Sequence, residues 1–253
     1  MANAALKATL VDYTVDGKEY QGYLVQNEKI TEPRPAVVVF PEWWGINEYV
    51  KRRARELADL GYVAFVADMY GQGMTTTNAE EANKLASAFY QDFAKFETMT
   101  NAAYEQMLMQ AHVDTARTAA IGFCFGGTAA LELARSGAPL KGCVSFHGGL
   151  AAPNPERARN IKGRVLVLHG DADPFVPNEQ VTQFDQAMTE AGVNYKVIHY
   201  AGAKHAFTNP NADKTGLDGV AYDAEAEKAS MTEMRVMLSE LFAKPAAVED
   251  KKE

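Results

Sequence analysis

The stretch Gly122-Phe123-Cys124-Phe125-Gly126-Gly127 constrains the fold more than any other part of the chain. A short apolar run, Thr118-Ala119-Ala120-Ile121, leads into it, and an Ala- and Leu-rich helical pattern from Thr128 to Arg135 leads out. Strand, tight turn and helix with one reactive side chain at the tip is the layout of a nucleophile elbow. Its requirement is steric, because a turn this sharp leaves no room for side chains two positions either side of the nucleophile. Gly122 and Gly126 meet that need, and Gly127 lets the helix pack close to the sheet. The turn also aims the first helical amides at the reacting centre, where an oxyanion can form.

The rest of the chain supplies strands for such an elbow. Leu6 to Val15 and Glu19 to Gln26 alternate around Asp16-Gly17, the pattern of an antiparallel hairpin. Ala36-Val37-Val38-Val39-Phe40, Tyr62 to Ala67, Ala116 to Ile121, Lys141 to Phe146, Arg164 to Leu168 and Tyr195 to Tyr200 are short runs, most of them continuously apolar. That pattern predicts strands buried on both faces. Helical patterns alternate with them. Asn47 is placed to cap one that ends near Leu60 at Gly61, and Asn178 to cap another that runs to about Ala191. Asn78 to Gln110 reads as more than one helix, with Met99 to Met109 as helix core, and Tyr222 to Phe242 as a long C-terminal helix. The expected class is α/β, with a mainly parallel central sheet and helices on both faces. Residues 1–244 read as one domain and residues 245–253 as a flexible tail.

Of the 253 residues, 47% are hydrophobic, enough for a large core, and the net charge is −8. Phosphate backbones require clustered Lys and Arg, so nucleic acid is not an expected partner. The one basic cluster, Lys51-Arg52-Arg53 with Arg55, reads as a solvated helix face. No apolar run reaches the length of a membrane span, and Met1 to Val11 lacks the features of a signal peptide. There are two cysteines, Cys124 and Cys143. A nucleophilic Cys124 must stay reduced, which favours a cytoplasmic setting, and Cys143 reads as a core strand residue. No His, Cys and carboxylate cluster has metal-ligand spacing, so neither metal nor cofactor is expected. Gly71-Gln72-Gly73 is too short for a dinucleotide loop. The sequence leaves monomer and homodimer open.

Glu42, Cys124, His147, Asp173 and His205 each sit just after a predicted strand, where functional loops of parallel sheets gather. Cys124, Asp173 and His205 follow the order nucleophile, acid, histidine of the α/β-hydrolase layout. A thiol with an ordinary pKa of about 8.5 needs a base at neutral pH. His205 can take the proton and return it to a leaving group. Asp173 would fix the imidazole tautomer and stabilise imidazolium; Asp171, beside Gly170, suits a turn better. The backbone N–H groups of Phe125 and Trp43 would form the oxyanion hole. His112 reads as a solvated helix position, His199 as a strand side chain, and His147 and His169 as structural or supporting groups that end strands near the site.

These motifs, with Pro41-Glu42-Trp43-Trp44-Gly45, Gly170-Asp171-Ala172-Asp173-Pro174 and Lys204-His205-Ala206-Phe207, resemble the dienelactone hydrolase family of α/β-hydrolases. The resemblance spans roughly Val11 to Phe242. It implies hydrolysis of an ester or lactone by a cysteine nucleophile. It also implies a mechanistic role for Glu42, which in the family takes part in switching the thiol between resting and attacking states. Dienelactone-cleaving members hold the substrate carboxylate with two arginines. Here the loop Tyr70-Gly71-Gln72-Gly73-Met74 contains none, and Asn209 stands four residues after the histidine. Charge-assisted contacts of that kind contribute about 1.5–3 kcal/mol each, so a small neutral ester or lactone is the expected substrate. The alternatives are a true carboxymethylenebutenolidase and a hydrolase fold serving as a non-catalytic binding protein. The span from His147 to Gly163 is too short for a cap domain. A shallow pocket ringed by Trp43, Trp44, Tyr70, Phe125, Phe207 and His147 is expected.

Overall fold

The structure is a computed structural model, and it describes residues 5–243. The expected tail, 245–253, lies outside the described residues. Eight strands form one sheet in the order β1-β2-β4-β3-β5-β6-β7-β8. The first two, β1 (Leu6–Val15) and β2 (Lys18–Asn27), pair antiparallel at one edge. Asp16 and Gly17 both have positive φ, the twist that a two-residue hairpin requires. From β4 (Val63–Val66) through β3 (Arg34–Phe40), β5 (Val113–Phe123), β6 (Gly142–Phe146) and β7 (Arg164–Gly170) to β8 (Tyr195–Tyr200), every pairing is parallel. Strands β3, β4 and β6 are buried along their whole length, as their mostly apolar runs require, with Arg34 and Ser145 the polar residues taken inside.

Six helices cover the two faces. Helices α1 (Glu48–Asp59) and α6 (Ala224–Phe242) pack on one, against Val37, Val39, Ile121, Val144 and Leu166. On the other lie α2 (Ala79–Tyr90), α3 (Phe93–Leu108), α4 (Phe125–Arg135) and α5 (Asn178–Glu190), against Val38, Ala120, Cys143 and Val165. Alternation along each strand assigns its side chains to the two cores. Asn47 caps α1, its Oδ1 accepting from the Val50 N–H at 3.2 Å, and Gly61 follows that helix at φ +93°. Asn178 is not a cap: Pro177 occupies that position with extended backbone, and Asn178 is the first helical residue. His112 is not helical either; it lies in the turn between α3 and β5 at φ +67°.

The basic cluster divides. Arg53 is only 4% exposed, because it lies on the inward stripe of α1. Its guanidinium donates to the Thr208 carbonyl at 2.7 Å and to Glu56 at 2.9 Å, and it pairs with Glu227 on α6. It therefore ties α1 to α6 and to the loop after β8, rather than belonging to a solvated face. Among the described residues there is no large cap domain: between β6 and β7 stands the short 3-10 turn Pro155–Asn160.

Candidate active site

Cys124 stands between β5 and α4 with φ +54° and ψ −120°. Such backbone costs about 1–3 kcal/mol for a non-glycine residue and persists only where the surroundings impose it. A Cβ on Gly122 would overlap the Gly126 carbonyl, and one on Gly126 would overlap the Phe40 carbonyl. The two glycines thus let β5, the turn and β3 approach to backbone contact. The Cys124 N–H donates to the Phe146 carbonyl at 3.0 Å and to Nδ1 of His147 at 3.1 Å, which anchors the turn to the end of β6. Because Nδ1 of His147 accepts, Nε2 carries the proton and donates to Thr208 Oγ1 at 2.8 Å. Tyr49 Oη lies 2.5 Å from the same Thr208 hydroxyl. Burial, and then the neighbouring His205 charge, hold His147 well below the usual imidazole range, so it is a neutral strut.

His205 Nε2 is 3.0 Å from Cys124 Sγ, and His205 Nδ1 is 2.7 Å from Asp173 Oδ2. The other oxygen of Asp173 accepts from the Phe175 N–H at 2.8 Å, which fixes the carboxylate. The His205 backbone is clamped between the Gly219 carbonyl and the Ala221 N–H. Burial opposes a charge on His205, but the Cys124 sulfur and the Asp173 carboxylate outweigh it and raise its pKa well above the ordinary imidazole range. Cys124 is also the N-cap residue of α4, whose N-terminus carries a partial positive charge. Phe125 opens α4 and Trp43 lies in the turn after β3; neither backbone N–H has a hydrogen-bond partner among the described residues.

Glu42 follows β3 and is 2% exposed. Burial pushes its carboxyl up to about 7, partly offset by the Asn209 hydrogen bond and by the charges of His205 and Arg53. Asn209 Nδ2 donates to Glu42 Oε2 at 2.7 Å, so Asn209 supports Glu42 with a neutral donor.

Glu42, Trp43, Cys124, Phe125 and His205 all open onto one cavity of about 540 Å³. Its walls are largely apolar, and no Lys or Arg is among the described residues that line it. The expected ring is corrected in part. Trp43, Trp44 and Phe125 line the cavity, but His147, Phe207 and Tyr70 do not. His147 and Phe207 are buried behind it, ring centroids 5.1 Å apart. Tyr70 packs on Phe125, and its hydroxyl donates to the Trp43 carbonyl at 3.0 Å, so it braces the turn after β3. Nor is the pocket merely a shallow ring. Ala212, Thr215, Leu217, Asp218 and Val220, from the segment between β8 and α6, build a wall that sequence reasoning missed. That segment has no apolar periodicity to mark it. Asp68 was missed as well. It is buried after β4, and its two oxygens accept the N–H groups of Gln21, Tyr70, Gly71 and Gly73 at 2.8–3.0 Å. An Asp followed within five residues by two glycines was the available signal.

Residues 20–242 match the family model described as the dienelactone hydrolase family. The chain belongs to the dienelactone hydrolase family. Among solved structures, it is similar to a dienelactone hydrolase-like promiscuous phosphotriesterase from metagenomic libraries. That likeness is at 42% identity and a TM-score of 0.92, over 94% of this chain and all (100%) of that one. A second solved structure, m3DLH, is 41% identical with a TM-score of 0.91 over the same shares, 94% and 100%. A relative from Bradyrhizobium sp, named "Probable 2-oxo-3-(5-oxofuran-2-ylidene)propanoate lactonase", is 30% identical over 82% of this chain and 86% of its own length. Members of this family are hydrolases that process small molecules, and no helix among the described residues is long and apolar enough to cross a membrane.

Proposed function

We propose that this member hydrolyses small, neutral carboxylic esters or lactones through a covalent acyl–Cys124 intermediate. The observation that carries the reading is the chain Cys124 Sγ–His205–Asp173, at 3.0 and 2.7 Å, in the wall of a largely apolar cavity that no Lys or Arg among the described residues lines. The thiolate attacks the carbonyl carbon, a C–S bond forms, and the electron pair moves to oxygen, where the Phe125 and Trp43 N–H groups receive it. Collapse restores the carbonyl and breaks the C–O bond, while His205 Nε2–H protonates the departing alkoxide. Water then attacks the thioester as His205 takes its proton, and the acid leaves with the thiolate restored. In a lactone the alcohol stays on the released acid. Glu42, held by Asn209, changes charge near neutral pH and modulates the Cys124–His205 pair. Both cysteines are free, which fits a reducing, cytoplasmic setting, and residues 1–244 act as one unit.

Neutral phosphotriesters form a second reading. It is favoured by the 42% identity to a protein named for that activity, and a largely apolar cavity that no described Lys or Arg lines suits such substrates equally. The lactone named for the Bradyrhizobium relative carries a carboxylate, so charge is the discriminating variable. The test is a panel of neutral short-chain esters, neutral lactones, an aryl dialkyl phosphotriester and an anionic dienelactone, run on the parent and on Cys124→Ala. Neutral carboxylic esters or lactones are expected to lead, with all turnover lost in the variant. Preference for the anionic dienelactone would restore the carboxymethylenebutenolidase reading. Turnover unaffected by the variant would exclude Cys124 as nucleophile.

A further inference from the structure

Outside the catalytic cavity, one cluster of side chains has no assigned work: His169, Asp171 and His199, at the C-terminal ends of β7 and β8. His169 and His199 are register partners in the parallel pairing of these strands, so their side chains leave the sheet on the same face. Asp171 follows in the turn just after β7. One ligand atom from each residue lies within 4.8 Å of the other two. His199 Nδ1 already meets Asp171 Oδ1 at 2.6 Å, and the two imidazole rings stand nearly perpendicular with centroids 5.5 Å apart. His169 is 2% exposed and stands on the inner side of this group, with His199 and Asp171 at the surface. Two imidazoles from neighbouring strands and a carboxylate, converging within 4.8 Å, make a donor set suited to a transition metal.

We propose that His169, Asp171 and His199 form a binding site for a divalent transition metal of the Zn²⁺ class, separate from the catalytic cysteine. Two imidazoles and one carboxylate are donors that suit Zn²⁺ or Co²⁺; Mg²⁺ and Ca²⁺ favour all-oxygen sites. Around tetrahedral Zn²⁺ such donors stand about 3.3 Å apart, so rotation of the exposed His199 and Asp171 side chains closes the set. Three protein ligands leave one position for water. Sequence spacing conceals the site, because His199 lies 28 residues from Asp171. The placement also gives the site a mechanical role. The bound ion joins the end of β7, two residues before Asp173, to β8, six residues before His205, and so clamps the two loops that carry the acid and the base.

Cys124 and His205 could themselves take up Zn²⁺, so the test starts from the full chain carrying Cys124→Ala. Zn²⁺ is titrated by calorimetry, and Co²⁺ is followed by its visible d–d absorption. Expected are one saturable equivalent of Zn²⁺, Co²⁺ bands that Zn²⁺ displaces, and no response to Mg²⁺. At a Zn²⁺ concentration about 100 times Kd the unfolding midpoint should rise by about 5 °C or more. Adding His199→Gln or Asp171→Asn, both exposed positions with low risk to folding, should weaken binding at least about 10-fold. Absence of a saturable site, or equal affinity in both added variants, would overturn the proposal.

Discussion

At the residue scale, Glu42 is the group whose titration can be followed. Its carboxyl ordinarily loses its proton at 4.5 and in the fold at about 7. Between those values the folded chain binds more protons than the unfolded one, so stability falls as pH rises through the window. The full difference is on the order of 3 kcal/mol. Glu42→Gln keeps an acceptor for Asn209 Nδ2 but cannot ionise. Its unfolding free energy should therefore gain on the parent from pH 5 to pH 8, by chemical denaturation at both values. A pKa near 7 in the kcat/KM profile should vanish in the same variant. An unchanged profile would remove Glu42 from the mechanism. His205 has linkage of the same sign, although there the fold favours the charged form instead of disfavouring it. Its raised pKa contributes stability that is complete below the ordinary imidazole value and is lost as pH rises through the folded one.

At the scale of elements, the loops after β3 and β4 act together. Asp68 gathers four N–H groups, and Tyr70 then holds the Trp43 carbonyl. Asp68→Ala leaves those donors without their acceptor and should destabilise the chain by about 2–4 kcal/mol in denaturant melts. If the Trp43 N–H serves as the proposed oxyanion donor, the substitution should also lower kcat with a smaller change in KM, because the turn after β3 loses its brace. A deficit in stability alone, with kcat unchanged, would contradict the brace. Arg53→Met tests another junction: it leaves Glu227 and the Thr208 carbonyl short of a donor, with an expected loss of about 3 kcal/mol or more. Most elements were legible in the sequence, because β3, β6 and β7 are mostly apolar runs and the elbow needs glycines at 122 and 126. The exceptions have physical causes. Arg53 resembles its exposed neighbours in sequence and differs only in the stripe of α1 that it occupies. Pro177 took the cap position because its fixed φ suits the turn into α5, where a side-chain cap was expected from Asn178.

At the scale of the whole molecule, the sheet collects its chemistry at one rim. Glu42, Cys124, Asp173 and His205, all read from strand ends, meet there, whereas His147, Tyr70 and Phe207 lie behind the cavity wall. Sequence position gives the rim but not the direction of a side chain, which explains that division. The cavity wall from the segment after β8 has no periodic signal, so it became visible only in three dimensions. A cavity that no described Lys or Arg lines should favour neutral over anionic esters by about 10-fold or more in kcat/KM. Asn209→Arg, which places a cation beside Glu42, should narrow that gap; competition assays with matched methyl ester and free acid substrates measure it.

The central claim is that the Cys124 sulfur becomes acylated and His205 relieves it. Its most direct test is rapid quenching during turnover of a neutral aryl ester, followed by peptide mapping in a mass spectrometer. The account predicts one acyl group on Cys124, formed in a burst and longer-lived in His205→Gln. Steady hydrolysis with Cys124 never acylated, or an acyl group on another residue that turns over at the same rate in Cys124→Ala, would contradict it.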